Sequence, residues 1–368
     1  MRNSLIRIAV AVIVFCFVTK ALSAQAPRPC GNPRIDLIEM QKAENFLRQN
    51  KNRPLIVNRM VRVFFHICRN SDRTNAGATP AQIQAEFTQL SADYDPNSLC
   101  FANMGTDTID NTQINTMINP DVPSSAALLN QFLIPGCINI FYQASLANGD
   151  GGNSYAIPNT FCSIARGNIG FQRSLSHEIG HCFGLSHTFA ANGGPENIDG
   201  SNCSTAGDRV CDTPADPWSF NSNPPSACFD TTTFQCVYLG NCMDPKGATN
   251  YTPPFNNIMS YWEQTGQPGG CQRTVFTFGQ YNRANGFLNT NAGLLATQSS
   301  SVITYGPVSI NSGVEMRSAL FDITTNGNVL LNGTIRASLQ GQRVYLKPGF
   351  TASPSNGYVI IRPTNCNY

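Results

Sequence analysis

HEIGHCFGLSH, running from His177 to His187, holds three of the four histidines in this chain of 368 residues, and no other stretch restricts the fold as tightly. His177 and His181 are four residues apart, so on a helix they lie about 40° apart on one face and about 6 Å apart along the axis. Two imidazoles so placed reach a single metal ion. His187 lies six residues further on, and a continuous helix would carry it roughly 240° round. Gly184 lifts that restriction, because a glycine at a helix C-terminus adopts the left-handed conformation at little cost and turns the chain. The spacing predicts a helix from about Gln172 to Phe183, a sharp turn, and a third histidine returning to the same ion. Three neutral imidazoles that leave one position open for water form a catalytic zinc set.

Glu178 projects about 100° further round the helix than His177, beside the metal rather than onto it. A carboxylate there can act as general base toward a water whose pKa zinc lowers to about 7, and then as general acid toward a leaving amine. The plain alternative is a buried amphipathic helix with incidental histidines. A rival of another class is a catalytically silent, zinc-stabilised extracellular binding or adhesion protein. The intact Glu178 weighs against it, since binding alone has no use for a base beside the water.

The full pattern HExxHxxGxxH resembles the metzincin clan of zinc endopeptidases. That clan carries a methionine turn beneath the metal, and Asn257-Ile258-Met259-Ser260-Tyr261 is similar to it. The resemblance makes Met259 the hydrophobic floor of the site. Tyr261 is a candidate to steady a tetrahedral oxyanion through its hydroxyl, with a packed tyrosine as the alternative. Within the clan the flanking text is most similar to the pappalysin family, its bacterial members in particular. Gly184 to Phe189 continues the zinc motif in that family's manner, Gly207 to Pro214 (GDRVCDTP) resembles its GDxVxDTP segment, and Phe276 to Gln280 with Arg283 resembles its closing helix. The similarity covers roughly residues 55 to 296. It departs at Cys211, which points to an additional disulfide, and at Ser260, where an acidic residue is expected; the latter bears on specificity rather than catalysis. The resemblance implies a zinc endopeptidase acting on protein or peptide substrates. It also implies an α+β metzincin-like domain: a mixed twisted sheet with backing and active-site helices above and an irregular, disulfide-linked subdomain below.

Only 12% of residues are charged and the net charge is +2, so no nucleic-acid surface is expected. Arg2 and Arg7, the apolar run Ile8 to Val18 and the small residues of Ala21 to Ala24 read as a secretory signal over residues 1–24. That run is too short to span a bilayer, and no other segment is apolar enough, so a secreted chain without a membrane span is expected. Nothing in the sequence indicates the oligomeric state. Of the 14 cysteines, Cys16 leaves with the signal, and an odd remainder calls for a free or metal-bound thiol. Cys30 is the candidate. Its surroundings, Pro27 to Pro33, resemble the cysteine switch of latent matrix metalloproteinases, in which a thiolate takes the open zinc position and excludes water. Residues 25–53 would then be a propeptide of a latent zymogen, with Arg48, Lys51 and Arg53 marking an exposed linker. A disulfide from Cys30 to the body is the alternative, and Cys182, inside the zinc helix, is a second candidate free thiol. By resemblance, Cys203 pairs with Cys228 and Cys242 with Cys271, leaving Cys211 to Cys236.

Val61 to Cys68 reads as a strand, with His66 a satisfied sheet histidine. Residues 80 to 94 read as a helix capped by Thr79 with Pro80 first, and Cys137 to Ala144 as another strand. In metzincins the strand bordering the cleft lies about Gly149 to Pro158, with a free edge that can take an extended peptide. Asp199, Asp208, Asp212 and Asp216 follow the third histidine closely and make calcium a candidate second metal, solvated turns being the alternative. Past Ala296, residues 302–368 alternate apolar and polar and are broken by Gly and Asn, which predicts a small all-β module. Within it Leu346 to Ala352 resembles an LxPGFxA segment of secreted bacterial proteins. The catalytic domain is accordingly expected over 54–296.

Overall fold

The structure, a computed structural model of the chain, describes residues 34–51, 58–97, 99–116, 123–146, 149–190, 193–217, 237–262 and 271–363. The expected signal segment, Cys30, Arg53, Cys228 and Cys236 lie outside the described residues.

A two-residue strand β1 (Arg34–Ile35) leads into helix α1 (Leu37–Gln49), capped by the Asp36 carboxylate, which accepts from the N–H groups of Ile38 and Glu39. The β-branched and aromatic run forms β2 (Arg59–Arg69). Helix α2 (Pro80–Tyr94) starts at Thr79 with a capping box to Gln82, as the sequence predicts. Then come β3 (Leu99–Asp110), α3 (Thr112–Thr116), α4 (Pro123–Asn130), β4 (Ile138–Gln143), β5 (Gly152–Asn153), β6 (Ala156–Ile157) and β7 (Phe161–Ala165). Five of these strands make one sheet in the order β3-β2-β4-β7-β5, parallel except for β5, which runs antiparallel to β7 along the edge.

Alternation along β2 decides what covers each face. Val61, Val63, Phe65 and Ile67 point into the main core with Ile83, Leu90 and Tyr94 of α2 and with Leu175 and Ile179 of the zinc helix α5 (Ser174–Cys182). Met60 and Phe64 point the other way, into a second cluster. Helix α5 begins two residues later than expected because Gln172 and Arg173 both have positive φ, 44° and 65°, which no helix continues. Helices α6 (Phe278–Thr290) and α7 (Ala292–Ala296) close the domain. Met40 and Ala43 of α1 are buried in this same core, Leu47 lies against Gly286 of α6, and β1 pairs in parallel with β6. Residues 34–49, expected to belong to a propeptide, are thus packed as part of the body, while Arg48 and Lys51 are exposed.

Strands β8 (Ser300–Tyr305), β9 (Val308–Thr325), β10 (Val329–Gly341), β11 (Arg343–Tyr345), β12 (Phe350–Pro354) and β13 (Tyr358–Pro363) form the expected all-β module, and every pairing in it is parallel. Val308 pairs with Val329 and Val329 with Phe350, steps of 21 residues, so the chain lies down in stacked coils. The corners recur with it: Gly306, Gly327 and Gly349 all have positive φ, 105°, 63° and 97°. Leu320 and Met316 dock this module on Met60, Phe64, Ala102 and Met104, covering the sheet face turned away from α5. Arg336 donates to Asp107 at 2.8 Å, and Asp107 lies 2.7 Å from His66 Nδ1. His66 Nε2 lies 3.0 Å from Asn139 Oδ1, so this histidine is a satisfied sheet residue, as expected.

Cys203 is bonded to Cys211, with Cα atoms 4.9 Å apart, which corrects the expected pairs Cys203–Cys228 and Cys211–Cys236. The turns between Gly200 and Val210 fold this short loop back on itself and bring the two cysteines together. Cys100, Cys242 and Cys271 are also disulfide-bonded. Cys68, Cys137, Cys162 and Cys182 are in no disulfide and are buried, where a thiol packs as a small apolar group. Four of the thirteen cysteines left after the signal are thus in no disulfide; the other nine are still odd in number, so parity calls for a further unpaired thiol without pointing to Cys30 in particular.

Candidate metal centre and active site

Helix α5 is buried along its whole length, from Ser174 to Cys182, and is held from several sides. Ser176 Oγ donates to Asp93 Oδ2 at 2.6 Å, Tyr94 Oη donates to the Ser176 carbonyl at 3.0 Å, and Arg173 pairs with Asp93 at 2.9 Å. The turn after it is the predicted one. Gly184 has φ +89°, and a Cβ there would overlap the Phe287 ring. Backbone strain and space therefore both demand glycine.

That turn brings His187 back. The metal-ligating atoms of His177, His181 and His187 all lie within 4.8 Å of one another, and all three side chains are buried. Each helical histidine has its inner nitrogen fixed by a carbonyl: His177 Nδ1 on Ile258 O and His181 Nδ1 on Leu185 O, both at 2.7 Å. Such bonds set the tautomer with Nδ1 protonated and leave Nε2 unprotonated for a ligand. His177 Nε2 is buried with no hydrogen-bond partner among the described residues, and His181 Nε2 stands 3.1 Å from His187 Nε2. That spacing suits two imidazole nitrogens sharing one cation. Burial pushes all three imidazoles toward the neutral form. For His177 the nearby His181 and Arg273 add to this, and His181 falls to about 4. The donor set fits zinc, which takes neutral imidazoles at full burial.

Met259 is fully buried beneath the helix, with its sulfur 2.5 Å from where a Cβ on Gly180 would stand. The turn that carries it is clamped by an amide pair: Asn257 Nδ2 donates to Gln280 Oε1 at 2.9 Å, and Gln280 Nε2 donates back to Asn257 Oδ1 at 3.1 Å. Gln280 also closes the capping box that starts α6 at Thr277. The Tyr261 ring packs on His187, with centroids 4.7 Å apart. Glu178 is fully buried on α5 beside the edge strand β5.

The four aspartates expected near a second metal divide by environment. Asp212 accepts from Thr277 Oγ1 and Gly279 N, both at 2.7 Å, and so caps α6 from outside. Asp216 accepts from Thr188 Oγ1 at 2.5 Å and from Trp262 Nε1 at 3.0 Å, tying the third-histidine loop to the segment after Met259. Asp199 is exposed and paired with Lys246. Of the four, Asp208 is buried, and its Oδ2 has no hydrogen-bond partner among the described residues; its neighbour is a residue the sequence does not single out, Glu196, whose Oε2 is likewise buried without a hydrogen-bond partner among the described residues. Burial, with Asp216 nearby, pushes Glu196 up to about 7, and burial raises Asp208 well above the usual carboxylate range. Arg273 was also missed. It is buried with Nη1 3.0 Å from His177 Nδ1, and an arginine in a loop carries no local mark of that role.

Comparison with known proteins agrees with this geometry. Residues 162–289 match the family model described as pregnancy-associated plasma protein-A. An extracellular metalloprotease of Colletotrichum graminicola is 25% identical over 218 residues, which is 53% of this chain and 74% of that protein. One of Pyricularia oryzae is 29% identical over 172 residues, 41% of this chain, and the chain spans only 55% of that relative's length. Among solved structures, metalloproteinase-II from Bacteroides fragilis overlaps 40% of this chain and 52% of its own at 11% identity, with a TM-score of 0.27. No described helix is long and apolar enough to cross a membrane. The stretch that holds the three histidines is thus similar to that family model and to these extracellular metalloproteases.

Proposed function

We propose that the chain is a secreted zinc endopeptidase that cuts protein substrates, made as a latent precursor. The observation that carries this reading is the convergence of three buried, neutral imidazoles, two of them on the helix that also carries the buried Glu178. His177, His181 and His187 would hold the zinc. When bound, zinc supplies a Lewis acid that makes water a nucleophile near neutral pH. Glu178, one residue from the first ligand, takes the proton of the attacking water and hands it to the leaving amine. Met259 and the Asn257–Gln280 clamp hold the floor of the site, and Tyr261 is assigned the hydrogen bond to the developing oxyanion. The extended substrate lies along β5, the sheet edge nearest the helix, by strand addition.

Secretion is supported by the N-terminal text and by the names of the extracellular relatives. Latency draws support from β1, which lies against β6, a strand in contact with α5. Cys30 is four residues upstream of Arg34, and four extended residues span about 13 Å. Calcium is assigned to the buried oxygens of Glu196 and Asp208, since hard carboxylate oxygens without protein donors suit that ion.

The test is Glu178→Ala in the full, trimmed protein. Zinc content by elemental analysis should stay at wild-type level while cleavage of casein or gelatin falls by about 100-fold or more. Normal cleavage by that variant would refute the mechanism. A wild-type protein with bound zinc and no chelator-sensitive proteolysis would refute the endopeptidase reading itself.

A further inference from the structure

We infer that Gly152 is a positioning residue for Glu178: the edge strand carries no side chain at this point so that the carboxylate can occupy the place from which it acts. The inference rests on the role proposed for Glu178. Gly152 lies in β5, opposite Ile164 of β7, at the sheet edge that faces the zinc helix. A Cβ built on it would stand 2.8 Å from both Cγ and Cδ of Glu178 and closer still to Oε1. The three nearest heavy atoms all belong to that one side chain. Nor is the backbone the reason for glycine here, because Gly152 does not have a positive φ, unlike Gly149 and Gly184. The φ of residue 152 does not bar alanine, and the atoms its methyl group would meet first are those of the Glu178 side chain.

An added methyl group has three ways to be accommodated. The helix cannot retreat: Ile179 and Leu175 are locked in the core, Ser176 is bonded to Asp93, and Gly180 already touches the Met259 sulfur. Either the carboxylate swings away or β5 lifts from β7. Both move the base relative to imidazoles that Ile258 O and Leu185 O hold still. Displacement of a catalytic group by about 1 Å can cost on the order of 100-fold in rate. Moving a buried side chain or a two-residue edge strand costs a modest amount of stability, so the larger loss should fall on turnover.

The experiment uses the zinc-loaded protein in its trimmed, active form as wild type, Gly152→Ala, Glu178→Asp and the double variant, with melting of the metal-free wild type, Gly152→Ala, Glu178→Ala and combined proteins alongside. Gly152→Ala should lower kcat by about 100-fold, with KM and the zinc dissociation constant each within about twofold. Glu178→Asp withdraws the carboxylate by one methylene, so adding Gly152→Ala to it should cost less than about threefold more. In the metal-free protein, alanine at 152 should change Tm less favourably, by about 2 °C or more, when Glu178 is present than in the Glu178→Ala background. The unfolded-chain effect of Gly→Ala is common to both backgrounds and cancels. Wild-type kcat in Gly152→Ala, or equal Tm changes in the two backgrounds, overturns the inference. Should Gly152→Ala fail to fold, the Glu178→Ala/Gly152→Ala protein decides: folding there supports the clash, and failure there overturns it. An inactive Glu178→Ala beside a fully active Gly152→Ala sinks this inference alone, whereas an active Glu178→Ala sinks the reading beneath it.

Discussion

Glu196 offers a sharp test of the buried carboxylate pair. Burial raises it from its ordinary value of 4.5 to about 7. Between those two pH values the folded protein keeps a proton that the unfolded chain has released, so stability must fall as pH rises through the window. The difference corresponds to about 3 kcal/mol at about 1.4 kcal/mol per pH unit, and partial solvent screening of the carboxyl group reduces it to about 2. The three metal-site histidines work in the opposite direction in metal-free protein. Their depressed values mean that the unfolded chain takes up protons below about 6.5 while the folded one does not, so they add stability as pH rises. A raw pH curve would mix the two effects. Comparison with Glu196→Gln separates them, since the histidines are common to both proteins. With chelator present, urea midpoints at pH 5, 6, 7 and 8 should show the variant gaining about 2 kcal/mol on the wild type across the series. Calcium should remove the wild-type deficit near pH 8 and do little for the variant. Parallel pH curves for the two proteins would refute both the strained carboxylate and the cation assigned to it.

Asn257→Ala breaks the amide clamp and leaves Gln280 buried without its partner, which should cost about 1–3 kcal/mol in urea unfolding. Gly184→Ala combines about 1–2 kcal/mol of left-handed backbone strain with overpacking against Phe287 of about 1–3 kcal/mol, so soluble yield and Tm should both fall sharply. Asp212→Ala removes the external cap of α6 for about 1 kcal/mol, a small loss of Tm with zinc content unchanged.

Legibility in the sequence followed the range of the interactions. The zinc helix, its glycine turn and the methionine turn were readable because histidine spacing and a few local offsets encode them. The capping boxes at Thr79 and Thr277 follow the same local rule. Asp212 and Asp216 could not be told from calcium ligands, because their partners Thr277, Gly279 and Trp262 lie at least 46 residues away in sequence. The Cys203–Cys211 bridge depends on a loop path that no spacing rule supplies. Arg273 and Gly152 matter through neighbours that only the folded chain brings near. The C-terminal alternation announced strands but not their direction. The faint period shared by Val308, Val329 and Phe350 was present in the text and divergent enough elsewhere to pass unread.

That parallel stacking has an evolutionary consequence. Each layer adds about 4.8 Å along one axis and rests on the layer before it. Relatives should therefore lengthen or shorten this region by whole layers of 19 to 22 residues, matching the pairing offsets seen here, and tolerate intermediate insertions only at the glycine corners. Growth of that kind leaves the patch around Leu320 and Met316, and with it the attachment to the peptidase, untouched.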